Sequence, residues 1–86
     1  MEPKFDLTIR GVLEKKLFEI GMFPEHASEV LDDMEINMPE MKGRWTEGFA
    51  YYPEPMRPVL LLTAKSYALK WVDVNLPEAF YRQLLI

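Results

Sequence analysis

Apolar side chains return every three or four residues along residues 7–20 of the chain. This spacing places one set of side chains on a single face of a helix, namely Ile9, Val12, Leu13, Leu17 and Ile20. Asp6 or Thr8 can cap the start of this helix by accepting from backbone N–H groups of its first turn. Gly21 can adopt the left-handed conformation that ends it. Gly11 weakens the first turn, because glycine costs a helix up to about 1 kcal/mol relative to alanine.

A second helix is predicted to begin at Pro24, since proline is preorganised for the first helical position. Its apolar stripe is narrow and consists of Ala27, Val30, Leu31 and Met34. The helix is expected to end between Asp33 and Asn37, because Pro39 disfavours a helical residue before it. Only residues 21–23 separate the two helices, which predicts a tight corner or hairpin.

The third helical stretch, from the prolines at residues 55–58 to about Val74, is apolar over most of its circumference. One face carries Leu60, Ala64, Tyr67 or Ala68, Trp71 and Val74, and Leu61, Leu62, Leu69 and Val72 widen it. Such a helix is expected to lie centrally, with neighbours on several sides. Pro77 then starts a short C-terminal helix within residues 77–85.

Residues 37–55, the connector, are interrupted by prolines and glycines yet hold Trp45, Phe49, Tyr51 and Tyr52. This density of aromatic residues predicts a loop packed on the core, with a short extended piece at residues 48–52. The fold class that follows is mainly α: a single domain of residues 1–86 with about four helices and one long aromatic connection. The alternative is an α+β fold with a short hairpin at residues 44–52.

Composition narrows the class of protein. With 49% hydrophobic and 28% charged residues the chain is an ordinary globular one. It has no cysteine, which excludes a disulfide scaffold, a thiolate zinc site and a cysteine nucleophile. The apolar run at residues 59–62 is far shorter than the roughly 20 residues that span a bilayer, and no signal-peptide pattern begins the chain. We therefore expect a cytoplasmic protein without membrane contact.

Negative charge is concentrated in residues 25–40. This acidic block holds no Lys or Arg and six carboxylates: Glu25, Glu29, Asp32, Asp33, Glu35 and Glu40. Direct nucleic-acid binding is not expected, because it depends on Lys and Arg that neutralise phosphates. A basic surface on a protein partner is the complementary target. Like charges four residues apart mildly destabilise a helix, so folding alone gives no reason for the cluster, although solubility does.

Residue types for catalysis or for a cofactor do not form a recognisable pattern. His26 with Glu25, Glu29 and Asp33 imitates half a metal site but lacks a second histidine, so a partly exposed histidine among acids is the simpler interpretation. Asp32 and Asp33 point about 100° apart on a helix, which prevents a paired-carboxylate mechanism. Neither a nucleophile elbow nor a phosphate-binding glycine motif is present. We predict a non-enzymatic protein without metal or cofactor.

Most aromatic residues are interpreted as core, but part of the connector is a candidate contact surface. Trp45, Tyr51 and Tyr52 could form an aromatic patch for a protein partner, since Trp and Tyr dominate interface energetics. Too few cations accompany them for base stacking. The candidate protein-binding residues are therefore Glu25, Glu29, Asp32, Asp33, Glu35, Trp45 and Tyr52.

Residues 68–82 contain Leu69-x-Trp71-x-Asp73-x-Asn75-x-Pro77 and end in Tyr81-Arg82. This stretch resembles the end of small prophage and phage proteins, and Gly43-Arg44-Trp45, Tyr52-Pro53 and Met22-Phe23-Pro24 are similar to phrases in the same proteins. The resemblance implies a phage or mobile-element origin and supplies no activity. Small acidic phage proteins include inhibitors of host defence, such as anti-CRISPR and anti-restriction proteins.

Two hypotheses follow. In the first, a phage-type accessory protein binds a host or phage protein through its acidic face, in the extreme case by imitating nucleic acid. In the second, the protein is a structural or assembly component of a phage particle and acts by self-association. Under the first hypothesis, replacing Glu29, Asp32 and Asp33 with Lys is expected to leave the fold intact and to slow association, more at low salt than at high salt.

Overall fold

The computed structural model describes residues 4–76, and within that range it contains three α-helices and no β-strand. They are α1 (Ile9–Glu19), α2 (Pro24–Asn37) and α3 (Arg57–Asn75), and three short 3₁₀ turns lie between α2 and α3. The mainly α fold class is confirmed, since 73% of the described residues are helical. The predicted fourth helix, at residues 77–85, lies outside the described residues. No helix in residues 4–76 is long and apolar enough to cross a membrane.

The start of α1 is capped by its own flanking residues. Thr8 is the N-cap, and its Oγ1 accepts from the backbone N–H of Gly11 at 3.0 Å. Asp6 in turn accepts at Oδ1 from the Thr8 backbone N–H at 3.1 Å and from the Thr8 hydroxyl. These two bonds, the hydroxyl one first, lower the pKa of Asp6 below its ordinary value of 3.8. Of the two predicted candidates, Thr8 is the cap of α1, and Asp6 binds the cap residue rather than the first helical turn.

The turn between α1 and α2 depends on one left-handed residue. Gly21 has φ 108°, its N–H donates to Phe18 O, and the N–H of Met22 donates to Leu17 O, both at 3.0 Å. This pair of bonds is the Schellman motif, which satisfies carbonyls that the last helical turn leaves free. α2 then begins at Pro24 and ends at Asn37, as predicted.

The connector runs across the N-terminus of α1. The N–H of Ile9 donates to Glu47 O at 2.8 Å, the N–H of Arg10 donates to Trp45 O at 3.1 Å, and Phe49 N–H donates to Leu7 O at 2.9 Å. A hairpin within residues 44–52 does not form, because the backbone groups it would need are bonded to residues 7–10. The expected extended piece is also wrong, since Phe49–Tyr51 is a 3₁₀ turn.

One core joins the three helices and the connector. Its buried side chains are Ile9, Leu13, Leu17, Ile20, Met22, Ala27, Val30, Leu31, Met34, Met41, Trp45, Leu60, Ala64 and Ala68. The whole stripe predicted for α2 is among them. Phe49 and Tyr52 are partly buried and pack against this core, which confirms that the connector is a packed loop.

The prediction that α3 lies centrally, with neighbours on several sides, is wrong. The helix buries only the strip of Leu60, Ala64 and Ala68, where short side chains allow close approach to α1 and α2. On the opposite side Val59 and Leu62 are 50% and 63% exposed. α3 therefore forms one side of the bundle, because apolar composition alone does not tell which face of a helix has a neighbour.

Arg57 ties the end of the connector to the start of α3. Its Nε donates to Tyr52 O at 2.9 Å and its Nη2 donates to Ala50 O at 2.5 Å. The guanidinium carbon also lies 6.0 Å from the centre of the Phe49 ring. These contacts satisfy carbonyls that the short 3₁₀ turn leaves without helical partners.

Gly11 provides a test of the cap region. A Cβ at this position would overlap both the carbonyl and the carboxylate oxygens of Asp6 and would lie 2.9 Å from the Asp6 carbonyl carbon. Helix propensity favours Gly11→Ala by about 1 kcal/mol, but overpacking costs about 1–3 kcal/mol. We expect the clash to dominate and Gly11→Ala to lower the free energy of unfolding in urea titrations.

Ser66→Ala, at an exposed position in the interior of α3, is the matched control, and we expect it to hold or raise stability. A Gly11→Ala variant that is more stable than the parent protein would show that Asp6 does not approach α1 this closely.

Candidate functional site

The six carboxylates of the acidic block divide into two groups. Three of them have partners within the fold: Asp32, Asp33 and Glu35. The other three, Glu25, Glu29 and Glu40, are exposed and form no ion pair within residues 4–76. The first group is fixed in place, whereas the second is free to meet another molecule.

Asp32 belongs to the contact between α1 and α2. Its Oδ1 lies 2.7 Å from Nη1 of Arg10, and Nη2 of the same arginine donates to Oγ and O of Ser28 at 2.7 and 3.1 Å. Nε of Arg10 also lies 3.7 Å from Oε2 of Glu14. Burial raises the pKa of Glu14 above its ordinary value of 4.5, and the attraction of Arg10 offsets only part of this effect.

Asp33 belongs to the contact between α2 and α3. The Tyr67 hydroxyl donates to Oδ2 of Asp33 at 2.8 Å and accepts from Nδ2 of Asn37 at 2.8 Å. Burial, and then donation to Asp33, raises the pKa of Tyr67 above its ordinary value of 10.0. The hydroxyl therefore stays protonated at neutral pH and holds the carboxylate of Asp33 in one position.

Glu35 stabilises the turn that follows α2. Its Oε2 accepts from the backbone N–H of Gly43 at 3.0 Å, and Gly43 has φ 75°. The idea that folding makes no use of the acidic block is thus wrong for Asp32, Asp33 and Glu35. We therefore no longer expect the fold to stay intact when Glu29, Asp32 and Asp33 are replaced with Lys. Asp32 joins α2 to α1, and Asp33 joins α2 to α3.

Two adjoining depressions lie between α2 and α3. The first has a volume of about 360 Å³ and is lined by Asp33, Asn37, Tyr67, Lys70, Trp71, Val74 and Asn75. The second has a volume of about 430 Å³ and is lined by Glu29, Asp32, Asp33, Ile36, Trp71 and Asn75. Because Asp33, Trp71 and Asn75 line both, we treat the two as one feature, the α2–α3 groove. Sequence analysis missed this groove, since it interpreted Trp71 and Tyr67 as core residues.

The two candidate aromatic residues of the connector do not share an exposed patch. Trp45 is only 4% exposed, and its Nε1 has no hydrogen-bond partner among residues 4–76. It is a core residue and is removed from the candidate binding surface. Tyr52 is half-buried, with the guanidinium carbon of Arg44 5.4 Å from its ring centre. Tyr51, at 91% exposed, is the one ring of the three that faces solvent freely.

His26 lies among aromatic rings at the edge of α2. Its ring centre is 6.0 Å from that of Phe23 and 5.9 Å from that of Trp71. Within residues 4–76 no three His, Asp or Glu side chains come together as metal ligands.

Asp32 contacts α1 while Asp33 contacts α3, so the two adjacent carboxylates point apart as expected. The carboxylates of α2 are hydrogen-bond acceptors with negative charge, so the chemistry they can support is the binding of positively charged groups.

No family model, curated protein or solved structure matches this chain.

The division of the acidic block predicts unequal effects of charge reversal along one helix. Asp33→Lys removes the acceptor of Tyr67, and the loss of such a bond is expected to cost about 1–3 kcal/mol. Glu29→Lys, one turn earlier and exposed, is expected to change stability by less than about 0.5 kcal/mol. Urea unfolding followed by circular dichroism measures both variants, and equal losses would contradict the division into fixed and free carboxylates.

The raised pKa of Glu14 predicts a pH-dependent effect. Above that pKa the buried charge lowers stability, so we expect Glu14→Gln to be more stable than the parent protein at neutral pH. As the pH falls, folded Glu14 takes up a proton before the unfolded chain does, so the advantage shrinks and disappears below 4.5. Urea midpoints across this pH range measure the difference.

Glu19→Gln makes the same change at an exposed position of the same helix and is the matched control. If Glu14→Gln is less stable at neutral pH, the attraction between Glu14 and Arg10 exceeds the cost of burial.

Proposed function

We propose that this protein is a non-enzymatic binding protein that docks on a basic surface of a protein partner. The contact is made by the exposed carboxylates of α2, Glu25 and Glu29, which we call the acidic α2 surface. One observation carries the proposal: Glu25 and Glu29 are exposed, one helical turn apart, and without an ion pair in the described part of the chain. Carboxylates in this arrangement repel each other in the free protein. A basic partner surface would relieve that repulsion.

One of the free carboxylates, Glu29, lines the α2–α3 groove. Glu29 lines the groove together with Asp32 and Asp33, which are held by Arg10 and Tyr67. A partner that approaches this side of α2 would meet the unpaired carboxylates of Glu25 and Glu29 together with the hydrogen-bonded ones of Asp32 and Asp33. Complementary potentials of this kind mainly raise the rate of association.

The resemblance of residues 68–82 to phage and prophage proteins supports a setting for this activity. We propose an accessory protein that acts in the host cytoplasm and inhibits a host defence by covering a basic surface. In its sharpest form the acidic surface takes the place of a nucleic acid, whose phosphates also present negative charge to Lys and Arg. The small size and net charge of −4 are consistent with this role.

A second candidate function is assembly of a phage particle by self-association. The observation that favours it is the exposed apolar side of α3, where Val59 and Leu62 are 50% and 63% exposed. Two copies could bury these side chains against each other, as apolar patches on soluble proteins commonly mark interfaces.

Affinity capture from host lysate, followed by kinetic measurement with the captured partner, tests the first candidate. We expect the variant with Glu25→Lys and Glu29→Lys to associate on the order of tenfold more slowly at low salt, with a smaller difference at high salt. The control variant carries Glu54→Lys and Asp73→Lys, which make the same change in net charge at exposed positions outside the acidic block.

Equal slowing by both double variants would show that only net charge matters and would overturn the acidic α2 surface as the contact. A protein that captures only itself, and whose oligomer dissociates with Leu62→Glu in sedimentation experiments, would support the assembly role and overturn the first candidate.

A further inference from the structure

The α2–α3 groove combines an aromatic ring with an excess of negative charge. Trp71 is half-buried and lines both depressions. The charged side chains around it are the carboxylates of Glu29, Asp32 and Asp33 and the ammonium of Lys70. A cation is therefore the complementary ligand, and a Trp ring is the aromatic surface that attracts cations most strongly.

Hydrogen-bond acceptors in the groove remain available. Oδ2 of Asp33 accepts from Tyr67, but Oδ1 accepts from no donor within residues 4–76. Nδ2 of Asn75 donates to Trp71 O at 3.0 Å, and the side-chain oxygen of Asn75 likewise has no donor in the described range. Asp33 is thus held by one oxygen and offers the other to a ligand.

We propose that the α2–α3 groove takes the guanidinium group of one arginine of the protein partner, stacked on Trp71 and bonded to Asp33. This inference rests on the proposed function, since the arginine would belong to the basic surface that meets α2. Arginine fits better than lysine, because its planar fork of donors matches a carboxylate and stacks on a ring. Asp33 and Trp71 line both depressions, so a guanidinium group between them can contact the carboxylate and the ring together.

The test uses the full chain and two blocked tripeptides, acetyl-Gly-Arg-Gly-amide and its citrulline counterpart. Citrulline has nearly the shape of arginine but no charge. We expect the arginine peptide to shift the indole N–H resonance of Trp71 in a saturable way, and the citrulline peptide to bind at least roughly tenfold more weakly. The indole resonance of Trp45, which is buried, is the internal reference and should not move.

Two variants distinguish the groove from general charge attraction. Asp33→Asn keeps an acceptor for Tyr67 but removes the charge, and it should weaken binding of the arginine peptide roughly tenfold. Asp73→Asn removes the same charge at an exposed position of α3 that does not line the groove, and it should leave binding unchanged. Circular dichroism confirms that both variants are folded.

The inference is overturned if the two peptides shift the Trp71 resonance equally, if neither shifts it, or if Asp33→Asn binds the arginine peptide as the parent does. A lysine peptide that binds as tightly as the arginine one would also overturn the assignment to arginine. These failures leave the proposed function standing, provided that partner association still depends on Glu25 and Glu29. Conversely, if the arginine peptide binds but partner association does not depend on Glu25 and Glu29, the proposed function is overturned and the assignment of the groove to arginine stands.

Discussion

The first turn of an α-helix has backbone N–H groups without helical acceptors, and in this protein those of α1 set the path of the rest of the chain. Thr8 Oγ1 accepts from one of them, while the carbonyls of Glu47 and Trp45 accept from Ile9 and Arg10. The connector must therefore cross the N-terminus of α1. This crossing places the Trp45 ring in the core, among the buried side chains of the three helices. It also determines where the connector leaves for α3, so these bonds orient the connector on the core that apolar burial stabilises.

Local patterns were sufficient to predict α1, α2 and α3 and the boundary between α1 and α2. Pro24 and Gly21 act within one or two turns of their own positions, so their effect is visible in the sequence alone. The path of the connector was not predictable in this way, because its acceptors bind backbone N–H groups that leave no trace in residue type. α3 was placed wrongly for a related reason. The predicted face included Leu60, Ala64 and Ala68, which form the packed strip, but the many other apolar residues did not reveal that Val59 and Leu62 are exposed.

The acidic block was visible in the sequence, but its division into fixed and free carboxylates was not. Partners for the fixed ones come from α1, from α3 and from a turn, as the bonds to Arg10, Tyr67 and Gly43 show. Each of these bonds joins residues that are separated along the chain, so helical spacing alone cannot find them. The α2–α3 groove was missed on the same grounds, since its walls come from two helices that the connector separates. Periodicity identified Trp71 as apolar and could not show that it lines a groove.

The two groups of carboxylates differ in what they can contribute to binding. Exposed charges such as Glu25 and Glu29 act over about a Debye length, are screened by salt, and affect mainly the rate at which a basic partner arrives. Asp33 is half-buried, so its attraction to a bound positive charge is screened less by salt. Because Tyr67 already holds its carboxylate, Asp33 also loses less conformational freedom on binding. The bond between Tyr67 and Asp33 is thus made before any partner binds. Under the proposed function, a contact through α2 would form at a salt-sensitive rate and dissociate at a less salt-sensitive one, because the carboxylates that attract a partner would differ from those that hold it.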